Sequence, residues 1–280
     1  MDPELLAIIF GLASAASWGS GDFSGGLATR RSNVYGVVIG SQFVGLLLLV
    51  GLALIYAEPL PPSGDLLIGA VAGLIGGVGL MALYQGLAVG RMGVVAPIAA
   101  ILSAALPVLV GTFAEGLPAI PQLAGFALAL VAVWLITRGK GALPIQWREL
   151  GLPVVAGLGF GLFLVLIDQA SETSVFWSLA AARVASLAIL ITIAAVLGRR
   201  IVPAREQLGL VLLSGVGDAA GNTFYTLAAQ LGRMDIAAIL SSLYPAATVL
   251  LARFVLHEQL TLRQWAGLLI ALAAVVLIAL

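Results

Sequence analysis

Ser214, Asp218, Asn222 and Tyr225 recur through one largely apolar run between Leu208 and Leu231. Their spacing of i, i+4, i+8 and i+11 places them on a single face of an α-helix. A carboxylate in such a run can receive an ammonium group, carry a proton or pair with a buried cation. The nearest candidate cation is Arg183, which interrupts the run before it. An arginine left unpaired in a hydrocarbon medium costs at least ~2.5–3.5 kcal/mol. Arg183 therefore requires Asp168 or Asp218 as a partner, unless a ligand carboxylate takes that place. Near the N-terminus, Ser14, Trp18 and Asp22 share a face at i, i+4 and i+8. Asp22 lies closer to the end of its run and can turn to Arg30 or Arg31 instead.

Other chemistries lack their residues. The chain has no cysteine and one histidine, which removes disulfides, thiolate nucleophiles and His-cluster metal sites. His257 and Glu258 adjoin but have no third partner for a metal or a triad, and read as an interfacial pair. Neither a cofactor, a metal nor an enzyme activity is expected. Phe163, Trp177 and Tyr244 fit either an aromatic cavity lining or ordinary packing. Trp18 is deep enough in its run to be a cavity-wall residue rather than an interfacial one.

The elements that position these groups follow from composition. Of 280 residues 61% are hydrophobic and 9% charged, and the mean hydropathy is +1.15. Soluble domains carry about 25% charged residues; this chain cannot coat itself for water, so its solvent is lipid. The formal charge balance is 13 against 13, with no basic patch for nucleic acid. A spanning helix needs about 20 mostly apolar residues. Breaks at charges, prolines and turn clusters give ten segments, at 5–28, 33–57, 66–89, 93–113, 119–137, 150–170, 175–198, 206–231, 234–255 and 261–280. MDPELLAIIF has no basic residue before its apolar run, so it reads as a retained helix and not a cleaved signal.

The chain repeats itself. Gly90-Arg91-Met92 recurs as Gly232-Arg233-Met234, preceded by Tyr84 and Tyr225 respectively. Glu115-x-Leu117 with Gln122-x-x-Gly125 recurs as Glu258-x-Leu260 with Gln264-x-x-Gly267. Near the starts, Gly11-Leu12 and Asp22 match Gly157-Leu158 and Asp168. The expected repeats are residues 1–140 and 141–280, divided in the Arg138–Glu149 loop. Five spans per repeat is an odd number, so the second half enters from the opposite side and the repeats are inverted. The basic residues agree: Arg30, Arg31, Arg91, Arg138, Lys140, Arg148, Arg199, Arg200, Arg205, Arg253 and Arg263 fall on one face, and Arg233 alone on the other. That face is the cytoplasmic one, with both termini outside. Gly77, Met81 and Tyr84 occupy the positions equivalent to Asp218, Asn222 and Tyr225, so the inner stripe is apolar in one half and polar in the other. The glycine stripes Gly69/Gly73/Gly77, Gly36/Gly40 and Gly157/Gly161 bring helices close. Pro97, Pro107 and Pro245 are expected to kink spans four and nine.

Ser241-Ser242-Leu243-Tyr244-Pro245, then His257-Glu258-Gln259-Leu260 and Gly267, resemble the drug/metabolite transporter superfamily, in particular its ten-span members built from two EamA-type domains. The whole chain looks like a YddG-type bacterial amino-acid exporter. The resemblance implies an all-α integral membrane protein, ten transmembrane helices forming two inverted five-helix repeats around a central cavity, in the bacterial inner membrane. It further implies a monomer exporting aromatic or neutral amino acids by alternating access. Trp18, Met81, Tyr84, Phe163, Trp177, Asp218, Asn222, Tyr225 and Tyr244 are the expected substrate-binding residues, with Asp168–Arg183 as an ion pair. The alternative is a proton-coupled multidrug exporter of the same superfamily.

Overall fold

A computed structural model describes residues 2–89, 92–137, 150–257 and 259–279, with side chains for all of these except 84, 86–89, 92–97 and 115. The described residues are helical throughout, without strands. In order they form α1 (Pro3–Thr29), α2 (Val34–Ile55), α3 (Ser63–Val89), α4 (Met92–Glu115), α5 (Ile120–Thr137), α6 (Gly151–Ala170), α7 (Val175–Val196), α8 (Leu208–Leu231), α9 (Met234–Ser241), α10 (Tyr244–Val255) and α11 (Leu262–Ile278). A 3₁₀ turn, Arg205–Gln207, leads into α8. Seven candidate spans are long and apolar enough to cross a membrane, α9 and α10 counting as one. Large apolar side chains such as Phe43, Leu47, Leu213, Leu269 and Val276 cover the outside. A surface of that kind requires an apolar solvent, and the chain is a multi-pass membrane protein.

Helix starts follow local chemistry. Asn33 caps α2 by accepting from Gly36 N at 2.6 Å, and Ser174 caps α7 from Trp177 N at 3.3 Å. Thr261 and Gln264 form a capping box on α11. Each satisfies backbone donors that have no partner within the helix. The proline expectation is met at one site and not at another. Pro245 has no N–H to give, and the ninth segment breaks before it at Ser242-Leu243, where bonds tighten to Leu243 N–Leu240 O and Ala246 N–Leu243 O. Pro107 instead sits buried inside an unbroken α4. Pro97's side chain, Gly90-Arg91 and the Arg138–Glu149 boundary lie outside the described residues.

The helices pair in a pattern that survives exchange of the two halves. α1 packs on α8 and α6 on α3; α3 packs on α7 and α8 on α2; α4 packs on α6 and α10 on α1. α2 with α7, and α5 with α11, pair with their own equivalents. Directions follow from close approaches. Gly125 lies against Ala274 and Ile278 while Gly267 lies against Ile136, so α5 and α11 are antiparallel. Gly69, Gly73 and Gly77 meet Ser178, Ala182 and Ser186 in rising order, so α3 and α7 are parallel.

The same approaches correct the repeat register near the two starts. Gly19 meets Tyr244 and Ala247, as Gly161 meets Ser103 and Leu106. Gly19 is thus equivalent to Gly161, and Asp22 to Leu164, not to Asp168. The Gly-Leu and Asp matches were chance coincidences of common residue types in glycine-rich helices.

Glu58, in the α2–α3 connection, ties that connection to the start of α7. Its carboxylate accepts from Val175 N at 2.8 Å, Phe176 N at 2.9 Å and Ser174 Oγ at 2.7 Å. Trp177 Nε1 donates to the Glu58 carbonyl at 3.1 Å. A carboxylate over a helix N-terminus satisfies orphan donors and complements the helix dipole. Glu58→Ala is expected to cost about 1–2 kcal/mol, read as a lower melting temperature by tryptophan emission in detergent. Unchanged melting would show that water replaces the carboxylate fully.

Candidate functional site

A cavity of about 120 Å³ lies between α1, α2, α3, α4, α6, α7, α8 and α10. One wall is polar, carrying Asp22, Gln42, Arg183, Asp218 and Asn222; the facing wall is apolar, with Phe160, Phe163, Leu80 and Leu83. Trp18 and Tyr244 stand where the walls meet, ring edge to ring face with centroids 6.5 Å apart.

Helical spacing builds the polar wall. Asp218 and Asn222 are one turn apart on α8, and Asn222 Nδ2 donates to the Asp218 carbonyl at 2.8 Å and to its Oδ1 at 3.3 Å. Arg183 projects from the antiparallel neighbour of α2, and its Nη1 reaches Asp218 Oδ2 at 2.6 Å. The same Nη1 donates to Gln42 Oε1 at 2.6 Å, while Gln42 Nε2 donates to Asp218 Oδ2 at 3.2 Å. Three helices therefore meet in one closed triangle of charge-assisted bonds. Two groups are left over. Arg183 is 93% withdrawn from solvent, at 7% exposure, yet its Nη2 has no partner among the described residues. Asp22 is open to the cavity and makes no hydrogen bond or ion pair among the described residues. A buried guanidinium nitrogen without an acceptor costs about 1–3 kcal/mol or more.

The positions come in exchange-equivalent pairs. Gln42 corresponds to Arg183, Gly77 to Asp218, Ser103 to Tyr244, and Asp22 to Leu164, and all eight line the cavity. One repeat-derived frame thus carries two differently decorated walls.

The sequence-derived site is brought together in part. Trp18, Phe163, Asp218, Asn222 and Tyr244 line the cavity, and so does Arg183. Of the two carboxylates named for Arg183, the structure sets Asp218 on it, and Asp168 stands half-buried near the end of α6, off the cavity wall. Three other residues do not reach the wall. Met81 packs with Val38, Leu187 and Leu190 between α2, α3 and α7. Trp177 is held by Glu58 at the far end of α7. Tyr225 is fully buried, its hydroxyl donating to the Leu164 carbonyl at 3.4 Å, and it backs Trp18 by stacking at 6.1 Å. Met81 is taken up by α2 and α7, and Tyr225 by the Leu164 carbonyl of α6 and the Trp18 ring of α1, although both stand within about 40° of the lining direction of their helices. The side chain of Tyr84 lies outside the described residues. Asp22 does not turn to Arg30 or Arg31 but faces the cavity. Gln42, Ser186 and Ser103 were missed; the signal for Gln42 was present, as the one amide in the apolar α2.

Among the described residues no group of three or more His, Asp or Glu could hold a metal ion. The second Gly-Arg-Met copy is away from the cavity. Arg233 holds the fully buried Asp235 through Nη2–Oδ2 at 2.7 Å and donates to the Gly116 carbonyl at 2.7 Å, joining the α8–α9 and α4–α5 turns. At that same end Gly232 lies against Ala7 and Gly11 against Leu240, which brings α1 close to α8 and α9 there.

The comparisons with known proteins agree with this architecture. Of solved structures, 27 chains match, among them a crystal structure aligned over 98% of both chains at 15% identity with a TM-score of 0.81. At that identity it shows the shared fold. No curated protein matches the sequence. The EamA-like transporter family model matches twice, over residues 5–138 and 148–280. With a doubled family match along nearly its whole length, and a helical bundle around a cavity, the chain belongs to the EamA-like transporter family and is a transporter, not an enzyme.

Proposed function

We propose that this protein is a ten-span exporter of small zwitterionic metabolites, above all amino acids with aromatic or neutral side chains. It works by alternating access between two inverted five-helix repeats, residues 1–140 and 141–280. The basic face lies in the cytoplasm of a bacterial cell, and both termini are periplasmic. The observation that carries the substrate class is the pair of opposite charges on one wall: the Arg183 guanidinium and the Asp22 carboxylate, which has no cation partner among the described residues. An α-carboxylate suits the first and an α-ammonium the second, and the apolar wall of Phe160 and Phe163 receives the side chain. The end drawn together at Arg233, Gly232 and Gly11 is the periplasmic one, so the cavity in this state serves the cytoplasmic side.

The test is counterflow in proteoliposomes with labelled L-phenylalanine, L-tryptophan and L-threonine against tyramine and tetraphenylphosphonium. The zwitterions are expected to exchange, with tyramine and phosphonium inactive, and Asn222→Ala is expected to slow exchange at least tenfold, about 1.4 kcal/mol. Exchange of tetraphenylphosphonium and not of the amino acids would replace this reading with a multidrug exporter. The surplus of carboxylates over cations on the cavity wall is what favours that second reading.

A further inference from the structure

The cavity wall carries two carboxylates and one guanidinium, and the structure divides them unequally. Asp218 is matched by Arg183 at 2.6 Å and supported by Gln42 and Asn222. Asp22 shares the cavity with Asp218, Arg183 and Tyr244 but is bonded to none of them. Gln42 and Asn222 already spend their amide donors on Asp218. Arg30 and Arg31, the cations nearest in sequence, lie beyond it at the end of α1.

An unmatched carboxylate is tolerable while the cavity is open to water. It is costly once alternation seals the cavity, because an isolated carboxylate in a medium of low dielectric costs several kcal/mol even after relaxation. Each sealing step therefore needs a positive group at Asp22, and two are available. A substrate ammonium supplies it on the outward stroke; a proton supplies it on the empty return.

We infer that Asp22 is the coupling site, at which a proton and the substrate's ammonium group replace each other, making the protein a proton/substrate antiporter. At the outer side a solvent proton adds to the Asp22 carboxylate as the ammonium departs. At the inner side the incoming ammonium displaces that proton into cytoplasmic water. One proton enters for each substrate that leaves. For a zwitterion the cycle moves one net positive charge inward; for a monovalent organic cation it is electroneutral. Asp218 is not assigned as the proton carrier, since Arg183 already matches its charge at 2.6 Å. The role of the ammonium rests on the proposed function, whereas protonation of Asp22 stands without it.

The full-length protein in lipid nanodiscs tests both parts. Infrared difference spectra between acidic and neutral pH are expected to show a protonated-carboxyl band that Asp22→Asn removes and Asp168→Asn keeps. In weakly buffered solution, L-phenylalanine is expected to release about one proton for each molecule bound. Asp22→Asn reduces that release to none, and Asp22→Glu retains it as a check on folding. A wild-type spectrum without an Asp22-dependent band, or binding without proton release, overturns the inference. A band that is present while L-phenylalanine fails to bind, and tetraphenylphosphonium binds with proton release, leaves Asp22 as the coupling site and removes the amino-acid reading.

Discussion

Arg183→Met is expected to lower folding stability by about 2–3 kcal/mol. Removing one member of a fully buried ion pair costs about 3–5 kcal/mol; this pair falls below that range because the Asp218 side chain keeps 33% of its surface open to the cavity. Methionine keeps much of the volume and none of the charge. It leaves Asp218 Oδ2 facing only Gln42 Nε2, and leaves Gln42 Oε1 without a donor. The double variant Arg183→Met/Asp218→Asn should recover most of the loss, since both charges are then gone and the amide can still bond Gln42. Thermal melting in detergent, followed through the emission of the five tryptophans, reads all three proteins. A single variant as stable as its parent would mean that cavity water satisfies Asp218 and that the triangle is not structural.

The second large effect lies at Gly73. A Cβ there would fall on the Ala182 carbonyl of α7, which is backbone and cannot rotate aside. Even alanine forces α3 and α7 apart, and overpacking of this kind costs about 1–3 kcal/mol or more. Gly73→Val is expected to abolish recovery of folded protein, and Gly73→Ala to reduce it severalfold. Gly51 provides the contrast, with nothing within 4 Å of its missing Cβ near the end of α2. Gly51→Ala is expected to be neutral or to stabilise by about 0.5–1 kcal/mol. Size-exclusion profiles of detergent extracts decide between them, and a monodisperse Gly73→Val would remove the claim that this contact sets the helix spacing.

Element limits were legible because length and apolarity define a span almost alone. The segment 175–198 became Val175–Val196, and 119–137 became Ile120–Thr137. The break at Ser242-Leu243 was half legible: Pro245 signals an interruption, but Pro107 carries the same signal inside a continuous helix. Local chemistry cannot separate the two cases, since neighbouring helices decide whether a freed carbonyl finds another partner. The site was readable where one helix holds it together, as in Asp218 and Asn222. It was least readable across helices. Nothing in the apolar run around Gln42 says that it faces Arg183, and nothing around Trp177 says that Glu58 will hold it at the rim. Asp22 was misaligned with Asp168 for a related reason, as composition offers many glycines to match while packing permits one register.

The contact between Gln42 and Arg183 joins two exchange-equivalent positions. Two equivalent positions can touch only where the relating axis passes between them, so this hydrogen bond marks the fulcrum of the molecule. In the proposed alternating-access cycle, a group on the fulcrum keeps its neighbours, and a group off it trades them. Substitutions at Gln42 should therefore shift affinity by the same factor from either side of the membrane. Asp22 lies off the fulcrum, and its counterpart on the cavity lining is the apolar Leu164. Its surroundings must differ between the two arrangements, and only such a residue can hold a ligand on one side and let it go on the other. Direction of transport is thereby separated, residue by residue, from strength of binding.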